Sequence, residues 1–353
     1  MSWVLGVDSS TSGTKALIAD ERGRVVAQGQ ASHPLESAGG GGWEQDPTTW
    51  KSSFIGAVRA ACEGLSPEER ARIRRLAIAH QRETFVCTNE RGEPLAPAIV
   101  WMDERASREV AEVRGAASER WVHEVSGKPV GLTPSLPKIR MLLRRLRPEL
   151  RPSYVLDVHG FLAFWLTGAP STSIASADPM GVVDLASGRY EDELIALSGA
   201  PREAFPRLVH VGEGLGLLTD DALASLGLGG PISLIAGAGD GQAAILGAGV
   251  TEPGRAVLNV GTALVCGTPI AKYRTTRAAR TLKSASGEGF ILETDLKGGT
   301  LSLDWLLSIV GADAREGRAS RSRALGVRCR RAGSRSSGRC GSRRPCRRPD
   351  RRL

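Results

Sequence analysis

The sequence predicts an α/β fold in two lobes, and three observations predict it. Residues 4–8 are an apolar run ending in Asp8, followed by the hydroxyl-rich turn Ser9-Ser10-Thr11-Ser12-Gly13-Thr14 and a second apolar run to Asp20. This is the pattern of two strands joined by a tight turn. Apolar strands then alternate with amphipathic helices, and near Pro231 a strand, a Gly turn and a helix restart the N-terminal pattern.

The elements follow in order. Residues 24–32 read as a third strand, and 47–64 carry Trp50, Phe54, Ile55, Val58 and Ala61 at helical spacing. Residues 74–79 form a buried strand whose polar end is Gln81 to Glu83, 85–88 continue it, and Asn89 to Gly92 turn the chain. A short strand at 97–101 precedes helices over 107–115 and 137–146, and 157–167 reads as an apolar helix with three aromatics. In the second half 232–236 is a strand, 241–246 a small-residue helix, and Val257–Val260, Gly261-Thr262 and 264–267 a second strand, turn and strand.

The 353 residues suffice for two cores, and the spacing predicts domains over 1–229 and 230–314. The net charge of +9 suggests nucleic acid or membrane until its location is checked. Residues 315–353 hold fifteen Arg, no Lys and two acids, which leaves a body of net charge −4. That tail has no apolar period and is expected to be disordered. A nucleic-acid-binding arm usually mixes Lys with Arg, whereas abrupt loss of Lys and of periodicity is what out-of-frame translation of a GC-rich gene gives. The expectation is a frameshift or truncation and no nucleic-acid partner. No stretch is long and apolar enough to span a bilayer, and no signal-peptide pattern opens the chain, so a cytoplasmic location is expected. Cys62, Cys87 and Cys266 lie in apolar contexts and read as buried free thiols.

Several motifs carry chemistry. The turn after Asp8 exposes N–H groups and hydroxyls together, which suits phosphate oxygens, and an Asp at a strand end can hold hydrated magnesium. An ordinary hairpin has the same composition. Gly42-Trp43-Glu44-Gln45-Asp46-Pro47 is a turn and N-cap before an amphipathic helix. His80-Gln81-Arg82-Glu83-Thr84 places a guanidinium and a carboxylate at a strand end, a pair that matches sugar hydroxyls and is also common at sheet edges. His80 reads as a core histidine or a support for that motif. Asp103, in Trp101-Met-Asp103-Glu-Arg105, is either a hydroxyl ligand or a helix N-cap. Asp240, in Ala236-Gly-Ala-Gly-Asp240-Gly-Gln242, sits at a helix start among small residues, where a carboxylate can take a proton from an attacking hydroxyl.

Together these residues resemble the FGGY carbohydrate kinases, which include glycerol kinase and xylulokinase and share the actin-like ATPase (ribonuclease H-like) fold. The resemblance covers residues 3 to about 310. It implies ATP and Mg2+ as cofactors, with Asp8 helping to hold magnesium, Thr11, Ser12 and Thr14 approaching phosphates, and Lys15 neutralising transferring charge. Ser10 stands where the family's phosphate loop usually has Gly. It further implies Arg82, Glu83, Asp103 and Gln242 as substrate ligands and Asp240 as general base. Gly261, Thr262 and Gly299 are implied on the phosphate side of the second lobe. The partner is a small sugar or polyol, and a homodimer is left open. Gln81-Arg82-Glu83-Thr84 resembles glycerol kinase, whereas Trp101-x-Asp103-x-Arg105 and Thr133-Pro134-Ser135-Leu136-Pro137-Lys138 resemble xylulokinase. Thr133 stands where glycerol kinase adds a Tyr, and the smaller side chain favours a ketopentose. The family also implies a Gly-rich adenine-binding segment. Nothing after Val310 supplies it, so impaired catalysis is expected; a sugar-binding protein without turnover is the alternative.

Overall fold

Residue alternation in the first strand, Trp3–Ser9, sets the centre of the molecule: Trp3, Leu5, Val7 and Ser9 face inward and the residues between them do not. In the computed structural model, which describes residues 2–147, 149–260 and 264–296, this strand lies inside a six-stranded sheet. The sheet order is Gly214–Leu217, Ser233–Gly239, Ile73–His80, Trp3–Ser9, Gly13–Ala19 and Val25–Ser32. The three strands Ser233–Gly239, Ile73–His80 and Trp3–Ser9 run parallel, and each flanking strand pairs antiparallel with its neighbour. The described residues all belong to a unit spanning Met1–Gly299, so the expectations for the 315–353 tail lie outside them.

Helix Pro47–Cys62 starts where the sequence says it should, with Pro47 in its first turn and the Asp46 carboxylate accepting from the Thr48 N–H. It buries Trp50, Phe54, Ala57, Val58 and Ala61 against the sheet. Helix Val158–Thr167 is capped by Asp157 and sets Phe161 edge-on against Trp50, ring centroids 5.7 Å apart. Truncating either aromatic would cost about 3–5 kcal/mol, because such a site relaxes only partly around the cavity.

A second, five-stranded sheet is ordered Glu36–Gly39, Gly42–Gln45, Ala98–Ile99, Phe85–Thr88 and Tyr154–Asp157. Phe85 and Ile99 of this sheet share a separate core with Val110, Val113, Ile139 and Leu142 of helices Ser107–Ala116 and Ser135–Arg145. The four-stranded sheet that follows, Val257–Val260, Leu264–Ile270, Phe290–Leu296 and Arg280–Lys283, is antiparallel throughout.

Two expectations change. A boundary at 229/230 would cut between Gly214–Leu217 and Ser233–Gly239, which are hydrogen-bonded neighbours of one sheet. The strand after Pro231 completes the first sheet, and the change of sheet comes after Asp240. Cys62 and Cys87 are buried free thiols, but Cys266 is only half-buried. Among the described residues no helix is long and apolar enough to cross a membrane.

Candidate active site

The three parallel strands end together, and that shared edge assembles the site. In register, Asp8 lies beside Ala79, Ser9 beside His80, and Gly239 beside His80 on its other flank. Asp8 and the start of helix Asp240–Gly247 therefore converge from positions 232 residues apart in the chain. Gly239 is the N-cap of that helix and Asp240 its first residue, whose Oδ1 accepts from the Gly241 N–H at 2.7 Å. Two glycines let the edge close. A Cβ on Gly237 would lie 1.9 Å from the Ile78 carbonyl oxygen, and one on Gly239 would lie 2.3 Å from Arg82 Cγ.

The strand Ser233–Gly239 shifts register between Ile235 and Ala238. The Gly237 N–H freed there donates to His159 Nε2 at 3.2 Å, so the ring proton of His159 is on Nδ1, which faces Thr172 Oγ1 at 3.2 Å. Thr172 donates in turn to Asp157 Oδ2 at 2.9 Å. Burial, then the neighbouring His80, holds His159 down at about 3, so it stays a neutral acceptor. His80 is fully buried with its ring 6.0 Å from that of His159, which places it in the core beneath the edge.

Asp8 is pushed up to about 6, first by burial and then by the Asp240 carboxylate, with Lys15 and His80 acting the other way. Its Oδ1 is buried and has no hydrogen-bond partner. Lys15 is exposed on the adjacent strand directly opposite Asp8. In the turn, Ser10 closes the chain through its N–H and Oγ to the Gly13 carbonyl, at 2.9 and 2.8 Å, leaving Thr11 half-buried and Ser12 exposed at the tip. The Thr14 side chain turns away from the turn's outer side. It is fully buried on the inner face with Ala16 and Ile18, and its Oγ1 lies 2.8 Å from Ser53 Oγ on the packed helix.

Arg82 and Glu83 reach the same edge, but in company the sequence did not reveal. Arg82 Nε lies 3.2 Å from Asp240 Oδ1, while its Nη1 forks onto Glu293 at 2.9 and 3.0 Å. Arg280 Nη1 lies 2.6 Å from Glu83 Oε1, and its Nε and Nη2 reach Glu293 Oε1 at 2.9 and 2.6 Å. Burial would lower Arg82, but Glu293, Glu83 and Asp240 outweigh it and hold the guanidinium above its ordinary value. Nearby, Lys128 and Asp178 form a second buried pair at 2.6 Å. A cavity of about 200 Å³ opens beside this network, lined by Lys128, Thr133, Arg280 and Glu293 among others. Arg280 and Glu293 were missed because each stands 197 residues or more from its partner in the motif. A usable signal was present: Glu293 interrupts the apolar strand Phe290–Leu296 at an inward-facing position.

Of two further expected substrate ligands, Asp103 is engaged internally, and Gln242 is engaged through Nε2 while its buried Oε1 has no partner among the described residues. Asp103 is fully buried, and its Oδ2 accepts from the Trp43 N–H and from Arg105 Nε, both at 2.9 Å, while Oδ1 accepts from the Arg105 N–H at 3.0 Å. With every contact internal it ties two loops together, and it caps no helix, since Ser107–Ala116 is preceded by Ala106. Gln242 is fully buried; its Nε2 donates to the Ala175 and Lys283 carbonyls at 2.8 and 3.3 Å, so it joins the third sheet to the first lobe. Gly261, Thr262 and Gly299 lie outside the described residues.

Residues 3–247 match the N-terminal domain of the FGGY family of carbohydrate kinases. The chain is 33% identical over 272 residues to a glycerol kinase of Paracidovorax citrulli (strain AAC00-1), an alignment covering 74% of this chain and 52% of that protein. It is also 33% identical over 266 residues to a xylulose kinase of Streptomyces rubiginosus, covering 73% and 52%. The crystal structure of a xylulose kinase from Rhodospirillum rubrum superposes with a TM-score of 0.86 at 25% identity, over 92% of this chain and 66% of that one. The chain thus spans about half the length of the curated relatives it matches. Its sheet topology is that of the actin-like ATPase fold, with part of the second lobe covered. By the match over 3–247, the chain belongs to the FGGY family of carbohydrate kinases.

Proposed function

We propose that this chain holds a small sugar or polyol at the shared strand edge and presents a terminal hydroxyl for phosphorylation by ATP, with Asp240 as general base and a ketopentose such as D-xylulose as substrate. One observation carries the reading. Asp240 is half-exposed, and Arg82 and the Gly241 N–H both engage its Oδ1. Among the described residues nothing engages Oδ2, which is therefore available to a substrate hydroxyl. Holding the carboxylate this way keeps it aimed, a requirement of a base that accepts a proton in the transition state. Arg82 then links the base to the substrate motif, and Glu83 is the acceptor for further hydroxyls.

The residues at the edge also fit a magnesium ion. Asp8 Oδ1 is buried without a donor, and the Asp8–Asp240 repulsion is what a cation would relieve. When bound, it would neutralise phosphate charge. We assign Thr11, Ser12 and Lys15 to meet phosphate oxygens, and we leave Thr14 out of that set because its side chain faces the core.

The small Thr133 at the wall of the cavity supports the longer ketopentose. A glycerol kinase reading is supported by Gln81-Arg82-Glu83-Thr84 and by the equal identity to both kinds of relative. ADP release coupled to a dehydrogenase, with D-xylulose and with glycerol, separates the two, and calorimetry with each sugar reads binding alone. Asp240→Asn should lower turnover about 100- to 10,000-fold while leaving sugar affinity within a few-fold. Sugar binding without turnover in the unaltered chain would point to a binding role, and no sugar binding at all would overturn the assignment of Arg82 and Glu83.

A further inference from the structure

A closed ring of hydrogen bonds joins the hydroxyl-rich turn to the substrate motif. Gln45 Nε2 donates to the Thr11 carbonyl at 2.7 Å, and Gln81 Nε2 donates to Gln45 Oε1 at 2.8 Å. Thr84 Oγ1 donates to Gln81 Oε1 at 3.1 Å and accepts from the Trp101 N–H at 3.0 Å. The Trp101 indole Nε1 closes the circuit on Thr11 Oγ1 at 3.0 Å. Gln45, Gln81 and Thr84 are all buried.

Each amide in the ring has one workable orientation. Gln45 Oε1 also accepts from Trp50 Nε1 at 3.0 Å, and its Nε2 also donates to the Pro34 carbonyl at 3.1 Å, so turning the amide over would oppose donors to donors and oxygens to oxygens. A buried network satisfied in a single arrangement is stiff. Gln81 and Thr84 flank Arg82 and Glu83, and the bond between their side chains stitches across a strained residue. Glu83 has φ +57°, the sole non-glycine in the left-handed region among the described residues, and Ser135 Oγ holds its carbonyl at 2.9 Å. One end of the ring is thus the conformation of the substrate motif, and the other is Thr11 at the turn.

We infer that Gln45, Gln81 and Thr84 are positioning residues that couple the two ends, so that a sugar settling on Arg82 and Glu83 displaces the turn expected to meet phosphate. The inference rests on the proposed sugar site. A ring with one satisfied arrangement transmits a shift of Glu83 to Thr11, and by linkage an anion ordering the turn strengthens sugar binding equally.

The test is a titration of the 15N-labelled chain of residues 1–353 with D-xylulose and with glycerol, read at the Arg82 and Glu83 amides and at the Thr11 amide and Trp101 indole. Both ends should shift with one common dissociation constant. Thr84→Val keeps the shape but removes the hydroxyl, and should cut the Thr11 response at least threefold while Arg82 and Glu83 still shift; Thr84→Ser should restore it. Trp101→Phe, which opens the ring at its other side, should give the same loss at Thr11 if Thr84→Val does not fold. A silent Thr11 in the unaltered chain, or a full Thr11 response in the opened rings, overturns the coupling and leaves the sugar site standing. Silent Arg82 and Glu83 amides overturn the sugar site itself and the coupling with it.

Discussion

Replacing Glu293 by Gln tests the network that underlies the site. Glu293 is 1% exposed and accepts from Arg82 Nη1, Arg280 Nε and Arg280 Nη2. Removing its charge leaves two buried guanidiniums facing each other across a neutral amide that can accept but also presents N–H groups. Breaking a buried pair by removing one partner costs about 3–5 kcal/mol. Arg82 keeps Asp240 at 3.2 Å and Arg280 keeps Glu83 at 2.6 Å, so the expected loss is at the lower end, about 3 kcal/mol. At about 2–4 °C per kcal/mol for a chain of this order of size, the melting temperature should fall by about 6–12 °C. Urea unfolding followed by circular dichroism measures the loss directly. The penalty should persist at high salt, because buried pairs are weakly screened. Although burial pulls the other way, Arg82 and Arg280 hold the Glu293 carboxyl below its ordinary 4.5. Its stabilisation is therefore full above 4.5 and lost as the pH falls through the lower folded value, so the gap between wild type and variant should close in acid. A loss under about 1 kcal/mol, or one abolished by salt, would refute the description of a dry, charge-paired network.

Two further outcomes follow from the same geometry. Asp8→Asn should stabilise the metal-free chain at neutral pH: with the folded carboxyl at about 6 against an ordinary 3.8, wild-type stability falls as the pH rises through that window and stays low above it. The variant should lack that slope and lose any magnesium-induced rise in melting temperature; an unchanged pH profile would refute the burial of the Asp8 carboxyl beside Asp240. Asp103→Ala should destabilise by about 2–4 kcal/mol, because the Trp43 N–H and the Arg105 guanidinium lose a buried acceptor, while sugar affinity measured by calorimetry stays within about twofold. A selective loss of sugar affinity at unchanged stability would return Asp103 to the substrate site.

Much of the site's scaffold was legible because its signals are local. Asp46 before Pro47, and Asp157 before an apolar helix, declare helix starts within a few residues, and the structure begins helices there. The misplacement of Thr14 was avoidable: in the strand Gly13–Ala19 it shares parity with Ala16 and Ile18, so the alternation that puts Lys15 outward sends Thr14 into the core. Asp103 shows the opposite limit. Its residue type suits a hydroxyl ligand, a cap or a loop tie equally, and only the arrival of the Trp43 N–H from 60 residues away chooses among them.

The sequence by itself determined the three strands that meet at the site's edge, the hydroxyl turn, the Gly-framed Asp240 and the family, since each is written in a short stretch of residues whose backbone preferences and side-chain period act locally. Tertiary structure alone decided what those residues face. Parallel pairing of Trp3–Ser9, Ile73–His80 and Ser233–Gly239 brings Asp8 and Asp240 to one edge, and the third sheet delivers Arg280 and Glu293 onto Arg82 and Glu83. Charge pairing across such separations depends on which strand lies beside which, and that order is fixed by the packing of whole sheets and helices.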